Sequence, residues 1–210
     1  MTHPEIIHDE TPVRLFKSDF LEFFTHISPV TVIVIWLPVA VYFTWSATTN
    51  LGDRNGWFIP AAILIGLFLW TISEYLLHRF LFHFKPQTPG QERLSFLFHG
   101  VHHAQPQCKT RLVMPIALSI PLAALFYLAF WLIIGQLINA PHWVGPMFTG
   151  FLIGYLIYDL THYATHHFPM RSGYAKYIKR YHMQHHYKTP NARYGVSSPV
   201  WDVVFRTMPG

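Results

Sequence analysis

Four long apolar runs, separated by polar segments, set the pattern of the chain. They cover about residues 29–48, 57–77, 112–138 and 143–163. An α-helix needs about 20 apolar residues to cross the hydrocarbon core of a bilayer, and each run is close to that length. Turns rich in helix-breaking residues join the runs in pairs, at 50–56 and at 139–142. The pattern therefore predicts two membrane-spanning helical hairpins.

The polar segments divide the rest of the chain into three parts, 1–28, 78–111 and 164–210. Within the first part, the stretch 17–26 predicts a short helix that lies on the membrane surface, with a solvated tail as the alternative. We therefore predict an all-α integral membrane protein with a single domain over residues 1–210. Its four spans lie within 29–163, and the polar segments form a helical cap.

Composition also indicates a membrane protein. Hydrophobic residues make up 51% of the 210-residue chain and charged residues only 12%, whereas a soluble domain has about 25% charged residues. The formal net charge is +5. The basic residues flank the apolar runs and form no separate basic face, so no nucleic-acid partner is predicted. No cleavable signal peptide is predicted, because residues 1–28 contain acidic side chains and no continuous apolar stretch.

The distribution of basic residues predicts the orientation in the membrane. Of the 15 Lys and Arg residues, only Arg54 lies in the two short turns. The positive-inside rule then places both termini, the loop 78–111 and the cap segment 164–210 in the cytoplasm. The expected location is the inner membrane of a bacterium, or the endoplasmic reticulum if the source is a eukaryote.

Histidines are concentrated in the segments that are predicted to be cytoplasmic. Eleven of the 15 histidines lie within 78–103 and 162–186, and the second block repeats the first at a distance of 83 to 84 residues. Each block contains a pair of histidines followed by a His-x-x-His-His triplet. The triplets are His99, His102 and His103, and His182, His185 and His186. The repeat suggests a two-fold arrangement of hairpins around a central site.

The spacing of these histidines suits metal binding. Residues three or four apart on a helix share a face, and adjacent residues point about 100° apart. A triplet can therefore offer imidazoles to two ions, with His99 and His102 on one face. His78 and His83, five apart, need a bend or a helix end between them. The lone cysteine, Cys108, excludes a thiolate-rich site, while imidazole suits iron, zinc, copper and nickel. About ten imidazoles are too many for one ion and suit two.

Two acidic residues inside the apolar runs are candidates to orient the imidazoles. Glu74 lies four residues before His78, and Asp159 lies three residues before His162, each on the same helix face. Ligating histidines usually pass their second ring N–H to a carboxylate or a carbonyl, and acidic residues within spans are usually functional. The alternative is that both carboxylates reach the headgroup layer.

Four segments resemble the fatty acid hydroxylase superfamily of membrane di-metal oxygenases. They are 74–83 (EYLLHRFLFH), 99–103 (HGVHH), 162–166 (HYATH) and 182–186 (HMQHH). Two further segments are similar to its fatty acid 2-hydroxylase branch, KTRLVMP at 109–115 and GVSSPVWDVVFRT at 195–207. The resemblance covers about residues 57–207.

The resemblance implies 2-hydroxylation of a long-chain fatty acid, or of the acyl chain of a sphingolipid or related lipid, with two iron ions and dioxygen. The same imidazoles would also hold zinc in purified protein. Ten positions match the family's ligands: His78, His83, His99, His102, His103, His162, His166, His182, His185 and His186. The internal repeat pairs His83 with His167, but the family's His-x-x-x-His spacing favours His166, and we follow the spacing. His3, His8, His26 and His142 are interpreted as ordinary surface or core residues.

The reaction implied by the resemblance needs two external electrons. The eukaryotic members carry a cytochrome b5 domain, which this sequence lacks, so we expect a separate cytochrome b5-like or ferredoxin-like donor to dock on the basic cytoplasmic face.

Tyr187 and Asp202 are further candidates for residues that contact the metal-binding histidines from behind.

An apolar groove is expected to admit the substrate chain from the bilayer. Its candidate aromatic walls are Trp57, Phe68, Trp70, Phe80, Phe82, Tyr155 and Tyr158, each with lipid contact or core packing as the alternative. Arg111, Tyr187 and Arg193 are candidates for headgroup contact. Arg79 is equally suited to extend along the apolar surface to a phosphate.

Several other functions are compatible with parts of this pattern. The same superfamily includes sterol desaturases and methyl oxidases, carotenoid hydroxylases and aldehyde decarbonylases. A non-enzymatic membrane zinc-binding protein is a more remote alternative. Two other classes are disfavoured. A transporter would place polar ligands near the bilayer midplane, but the histidines of this chain cluster at one edge of the membrane. A haem-bearing cytochrome would place paired histidines within the spans, where this chain has Trp, Phe and Leu.

Overall fold

The computed structural model describes residues 6–7 and 11–209. Helices are the regular elements of this part of the chain. In chain order they are α1 (Asp19–Phe23), α2 (Pro29–Thr49), α3 (Phe58–Leu76), α4 (Pro89–Ser95), α5 (Val101–Ala104), α6 (Ile116–Phe130), α7 (Pro141–His167), α8 (Gly173–Tyr187) and α9 (Val200–Val204). Segments of π-helix continue three of them, at Leu77–Phe82, Phe96–Gly100 and Trp131–Leu137. The predicted all-α fold is confirmed.

Four helical stretches are long and apolar enough to cross a membrane, as predicted. They are Pro29–Thr49, Phe58–Phe82, Ile116–Leu137 and Pro141–His167. The third begins at residue 116 and not at the predicted 112, because Pro115 precedes it and the N–H of Met114 donates to the carboxylate of Asp159 (3.1 Å). The second and fourth run further than predicted, to Phe82 and His167, and so carry histidines at their ends.

The surface helix predicted over 17–26 forms over the shorter range Asp19–Phe23. The Ser18 side chain accepts the N–H of Leu21 and caps its N-terminus. Phe20 and Phe23 are 71% and 72% exposed. This short helix therefore presents two aromatic rings outward just before the first span begins.

Helix α7 is the centre of the bundle. It packs most extensively against α3 and then against α2, so the closest contacts run between the two hairpins and not within them. Glycines allow this approach: a Cβ at Gly150 would lie 1.9 Å from the carbonyl oxygen of Ile63, and one at Gly66 would lie 1.9 Å from that of Met147. Small residues at such contacts let the backbones of membrane helices approach closely.

The outward faces of the spans are apolar. The exposed large side chains include Val34, Trp45, Leu64, Phe68, Leu125 and Leu132. An exposed apolar surface of this kind suits lipid and is unfavourable in water. The ends of α3 and α7 meet α5, α8 and the loop 189–199, and these elements form the candidate site.

Candidate metal centre

The second span ends in a π-helical turn that carries two histidines. Leu77–Phe82 continues α3 with π-helical geometry, and the N–H of His83 donates to the carbonyl of His78 (3.1 Å). Such turns pair residues five apart, and they are frequent at functional sites. The five-residue spacing, for which we predicted a bend or a helix end, is accommodated by this turn.

Five helical segments bring ten histidines together at the ends of α3 and α7. Their ring nitrogens form two groups, and within each group one ligand atom per residue lies within 4.8 Å of all the others. Group A consists of His78, His83, His99, His103 and His185. Group B consists of His102, His162, His166, His182 and His186. The structure thus brings together all ten histidines that were expected to bind metal.

Each group takes four histidines from one half of the chain and one from the other. His102 lies in group B although the other members of its triplet lie in group A. His185, 83 residues later, lies in group A although the other members of its triplet lie in group B. This reciprocal exchange follows the internal repeat of the sequence.

The division within each triplet differs from our expectation. We expected His99 and His102, three apart, to share a face, but His99 shares its group with His103, four apart. Residues four apart differ by about 40° around a helix and residues three apart by about 60°. The pair four apart therefore converges more closely on one point.

Hydrogen bonds to the backbone define the tautomers of two ligands in group A. The Nδ1–H groups of His78 and His185 donate to the carbonyl oxygens of Tyr194 and Ala192. A carbonyl only accepts, so the hydrogen is on Nδ1, and Nε2 of each neutral ring presents a lone pair.

That lone pair of His185 faces two further nitrogens. Its Nε2 lies 3.1 Å from Nε2 of His83 and 3.2 Å from Nε2 of His103. One lone pair accepts one hydrogen, so hydrogen bonds alone do not satisfy three converging nitrogens. A cation between them does, and the residues therefore fit a metal ion.

Group B has the same convergence. Nε2 of His102 lies 2.8 Å from that of His162 and 2.9 Å from that of His186. Nε2 of His182 lies 2.9 Å from that of His166 and 3.0 Å from that of His186. For metal–nitrogen bonds of about 2.0–2.1 Å, ligands at right angles are about 3.0 Å apart, and tetrahedral ligands are about 3.4 Å apart. The distances fit a site with more than four ligands.

Nine of the ten imidazoles are buried and that of His83 is partly buried, which keeps them neutral. His78, His182 and His185 have 0% exposed surface. Burial first, and neighbouring imidazoles second, lower the pKa of the histidines outside the spans well below the usual 6.5: His83, His99, His102, His103, His182, His185 and His186. A neutral imidazole has the free lone pair that a metal ion requires.

The structure places Glu74 and Asp202 one step further from the ligands than we expected. Glu74 accepts the backbone N–H groups of residues 196 and 197 (both 2.8 Å). Asp202 accepts those of residues 194 and 195 (2.9 and 2.6 Å). These bonds fix the segment 194–197, whose Tyr194 carbonyl orients His78. The carboxylates therefore act on the backbone that holds an imidazole, because this segment has buried N–H groups without helical partners.

Asp159 also binds away from the imidazoles. Its carboxylate accepts the N–H of Met114 (3.1 Å) and the hydroxyl of Tyr155 (3.1 Å). It thereby ties the loop before α6 to α7, next to His162. Tyr187 is 44% exposed, and its ring centroid lies 6.2 Å from that of His186.

A cavity of about 350 Å³ adjoins both groups. Group B contributes His102 and His162 to its wall, and group A contributes His99. Its volume lies within the range of about 300–1,000 Å³ that is usual for ligand pockets. The apolar part of the wall includes Leu15, Phe16, Leu21, Phe24, Leu94, Leu97, Phe98, Leu112, Val113 and Leu118.

Only two of the seven aromatic residues expected at the groove, Phe82 and Tyr158, line this cavity. Trp70 and Tyr155 line a second, much smaller cavity within the helical core. Trp57, Phe68 and Phe80 are 62%, 58% and 60% exposed on the outer surface. The sequence did not lead us to predict that residues 15–25 form part of the cavity wall. The cluster Phe20-Leu-Glu-Phe-Phe24 is nevertheless a signal of a helix with an apolar side.

Of the basic residues considered for headgroup contact, only Arg111 lines the cavity. Arg193 packs over the ring of Tyr181 and donates to the carbonyl of Pro209. Arg79 donates to the hydroxyl of Tyr75. These two arginines therefore act in the packing of the C-terminal segment.

The described histidines that were not expected to bind metal lie outside both groups. The ring centroid of His167 lies 4.7 Å from that of Tyr163. Nδ1 of His26 lies 2.9 Å from Oγ1 of Thr110, and His142 packs on Phe58 at the other end of the spans. His3 and His8 lie outside the described residues.

Comparison with known proteins identifies relatives along nearly the whole chain. A family model described as fatty acid hydroxylase matches residues 63–207. A dihydroceramide fatty acyl 2-hydroxylase of Arabidopsis thaliana is 37% identical over 207 residues, which cover 99% of this chain and 84% of that protein. A fatty acid 2-hydroxylase of Rattus norvegicus is 35% identical over 94% of this chain and 57% of its own length.

A solved structure has the same fold. It is described as full-length scs7p with only the hydroxylase domain visible. It superposes with a TM-score of 0.83 at 39% sequence identity, covering 91% of this chain and 70% of that one.

Proposed function

The chain belongs to the fatty acid hydroxylase family, and from this premise we propose that it is a membrane-bound, dioxygen-dependent fatty acid 2-hydroxylase. Its substrate is a long-chain fatty acid or the acyl chain of a sphingolipid or related lipid. The names of the relatives support this reaction, since they are fatty acid 2-hydroxylases and dihydroceramide fatty acyl 2-hydroxylases. The resemblance read from the histidine segments agrees with it.

Groups A and B each hold one iron ion in this proposal. Iron supplies the activation of dioxygen that an unactivated C–H bond requires. The ten histidines hold the ions and carry no charge themselves, so the positive charge remains on the metals. Zinc is expected to occupy the same nitrogens in some preparations, because it generally outcompetes ferrous iron at such sites.

The cavity brings the substrate to these groups. His99, His102 and His162 face a space whose other walls are mostly Leu, Phe and Val side chains. Apolar walls bind an acyl chain through the hydrophobic effect and exclude water from the reacting carbon. The observation that carries the proposal is this juxtaposition of two five-nitrogen groups with one apolar cavity.

The distribution of basic residues supports a cytoplasmic location for the site and for both chain termini. Helix α8 carries ligands of both groups and exposes Lys176 and Arg180 on its outer side. A negatively charged electron-transfer protein, cytochrome b5-like or ferredoxin-like, would dock there close to the metals. In this arrangement residues 1–210 act as one domain.

Analysis of lipids from a host without 2-hydroxy acyl chains tests the proposed reaction. Cells that express the protein should gain acyl chains with one added oxygen at C2, detected by mass spectrometry after hydrolysis. The His102→Ala variant should give no product, and His142→Ala should match the parent protein. An unchanged acyl fraction, despite iron loading and a reductant, would contradict the proposal and would direct the assay to sterols, carotenoids and aldehydes.

A further inference from the structure

One cation at the cavity wall has unused hydrogen-bonding capacity. The side chain of Arg111 is 2% exposed, and it lines the cavity together with His102 and His162. Its Nη2 donates to Oε1 of Glu22 (2.5 Å) and lies 3.3 Å from Nε2 of His26. Its Nε and Nη1 have no hydrogen-bond partner among the described residues. Buried polar groups are nearly always paired, so the two unpaired donors of Arg111 indicate a binding site for a ligand.

Glu22 balances the charge of this arginine. Its Oε2 accepts the backbone N–H groups of Leu15 and Phe16 (2.9 and 2.8 Å). Burial raises the pKa of Glu22, but these backbone bonds and Arg111 outweigh it and hold the pKa below its usual value. The carboxylate is therefore ionised at neutral pH, and the pair has no net charge.

We propose that Arg111 is a positioning residue whose Nε and Nη1 donate to the acyl carbonyl oxygen of the substrate, and that Glu22 makes this position prefer a neutral amide carbonyl to a free carboxylate. The inference rests on the proposed function. C2 is bonded directly to the carbonyl carbon, so a fixed carbonyl restricts C2 to a small region of the cavity. The rest of the acyl chain follows the apolar wall.

Charge decides between the two kinds of carbonyl. A free carboxylate would join Glu22 beside a single arginine, so these three groups together would carry a net negative charge. Burial of unbalanced charge is strongly unfavourable. An amide carbonyl accepts the same two N–H groups and adds no charge.

Ligand binding to zinc-loaded protein tests this inference without turnover. The probes are palmitate and N-palmitoyl sphinganine in detergent micelles, and the readout is the change in tryptophan fluorescence on titration. The parent protein should bind the N-acyl lipid more tightly than palmitate. Glu22→Gln should shift the ratio of the two affinities towards palmitate by roughly tenfold or more, because the charge of Arg111 is then unbalanced.

A second variant keeps the test decisive if Glu22→Gln loses zinc or unfolds. Arg111→Lys retains the positive charge next to Glu22 but lacks the planar set of donors. It should bind the N-acyl lipid roughly tenfold more weakly, the loss of a charge-assisted hydrogen bond, with unchanged zinc content. Asp19→Asn is the matched control, because Asp19 forms an ion pair with Arg14 on the same segment but is exposed. It should leave both affinities unchanged.

The outcomes separate this inference from the proposed function. Unchanged affinity of Arg111→Lys for the N-acyl lipid would overturn the inference, as would an unchanged preference in folded Glu22→Gln. Either result is compatible with continued 2-hydroxylation by the iron-loaded enzyme. If the binding preferences shift as expected but no lipid is hydroxylated, the binding roles of Arg111 and Glu22 stand and the proposed reaction fails.

Discussion

Groups A and B contain equal numbers of imidazoles, but the protein supports them differently. In group A, backbone carbonyls at residues 192 and 194 accept the Nδ1–H groups of two ligands, and buried carboxylates fix one of these segments. In group B, four Nδ1 atoms are buried with no hydrogen-bond partner among the described residues. They belong to His102, His166, His182 and His186.

This difference shows that the choice of ion and the strength of its binding depend on different contacts, although a histidine motif does not distinguish between them. The type and number of the ligands determine which ions fit, and they are the same in both groups. Contacts behind the ligands determine how firmly the ions are held, and their loss typically costs 10- to 100-fold in affinity. We therefore expect group A to hold its ion more tightly. Group B contributes two imidazoles to the wall of the proposed substrate cavity and group A contributes one, so the less supported group has the larger share of that wall.

The largest expected effect comes from the two histidines that the halves exchange. His102→Ala should remove the ion of group B and leave that of group A, and His185→Ala should do the reverse. Both variants should lose hydroxylation, because the proposed reaction needs both ions. Metal content per chain, measured by mass spectrometry together with the lipid product, checks this.

The control for this prediction is His142→Ala, since His142 packs on Phe58 far from both groups. It should retain both ions and full activity. If His142→Ala were as damaging as His102→Ala, or if His102→Ala lost both ions, the division into two groups would be wrong.

The second prediction concerns the order in which the ions leave. A chelator should remove the group B ion first and the group A ion in a slower phase. Glu74→Ala should accelerate the slow phase by roughly tenfold, because the segment that orients His78 loses its anchor. Glu92→Gln, at an exposed position on α4, is the control. Release of both ions in a single phase from the parent protein would contradict the comparison.

Much of this architecture follows from local pattern. The four spans are predictable because a continuous apolar run of helical length satisfies its own backbone in lipid. The histidine spacing is visible as soon as a helix is assumed. The all-α fold follows from these two signals.

The division into groups A and B is not predictable in the same way. It depends on how α5 and α8 cross the ends of α3 and α7, which no local pattern encodes. The carbonyl partner of His78 lies at Tyr194, 116 residues away. Every residue has a backbone carbonyl, so the sequence does not indicate which residue provides it. Glu74 was identified as an acidic residue in an apolar run, four residues before His78, but its partners are backbone N–H groups more than 120 residues away.

The third prediction is a shift in stability with pH. Burial holds the pKa of His83, His102 and His182 well below 6.5 in the metal-free protein. The unfolded chain therefore binds more protons than the folded one as the pH falls through about 6.5, so the free energy of unfolding decreases on acidification. The midpoint temperature of the metal-free protein should be nearly constant above about pH 7.5 and should fall towards pH 5. A midpoint that rises on acidification would show that the imidazoles are not buried as neutral groups.

The smallest expected effect tests whether group A depends on the backbone or on the side chain of Tyr194. The Tyr194 carbonyl orients His78, while its ring lies 5.8 Å from that of the same histidine, centroid to centroid. Tyr194→Phe retains the carbonyl and the ring and removes only the hydroxyl. Metal content should be unchanged, and the slow phase of chelation should change by less than about twofold, well below the roughly tenfold expected for Glu74→Ala. An effect as large as that of Glu74→Ala would mean that the hydroxyl contributes to group A, and the contrast with group B would then rest on side-chain chemistry and not on the backbone.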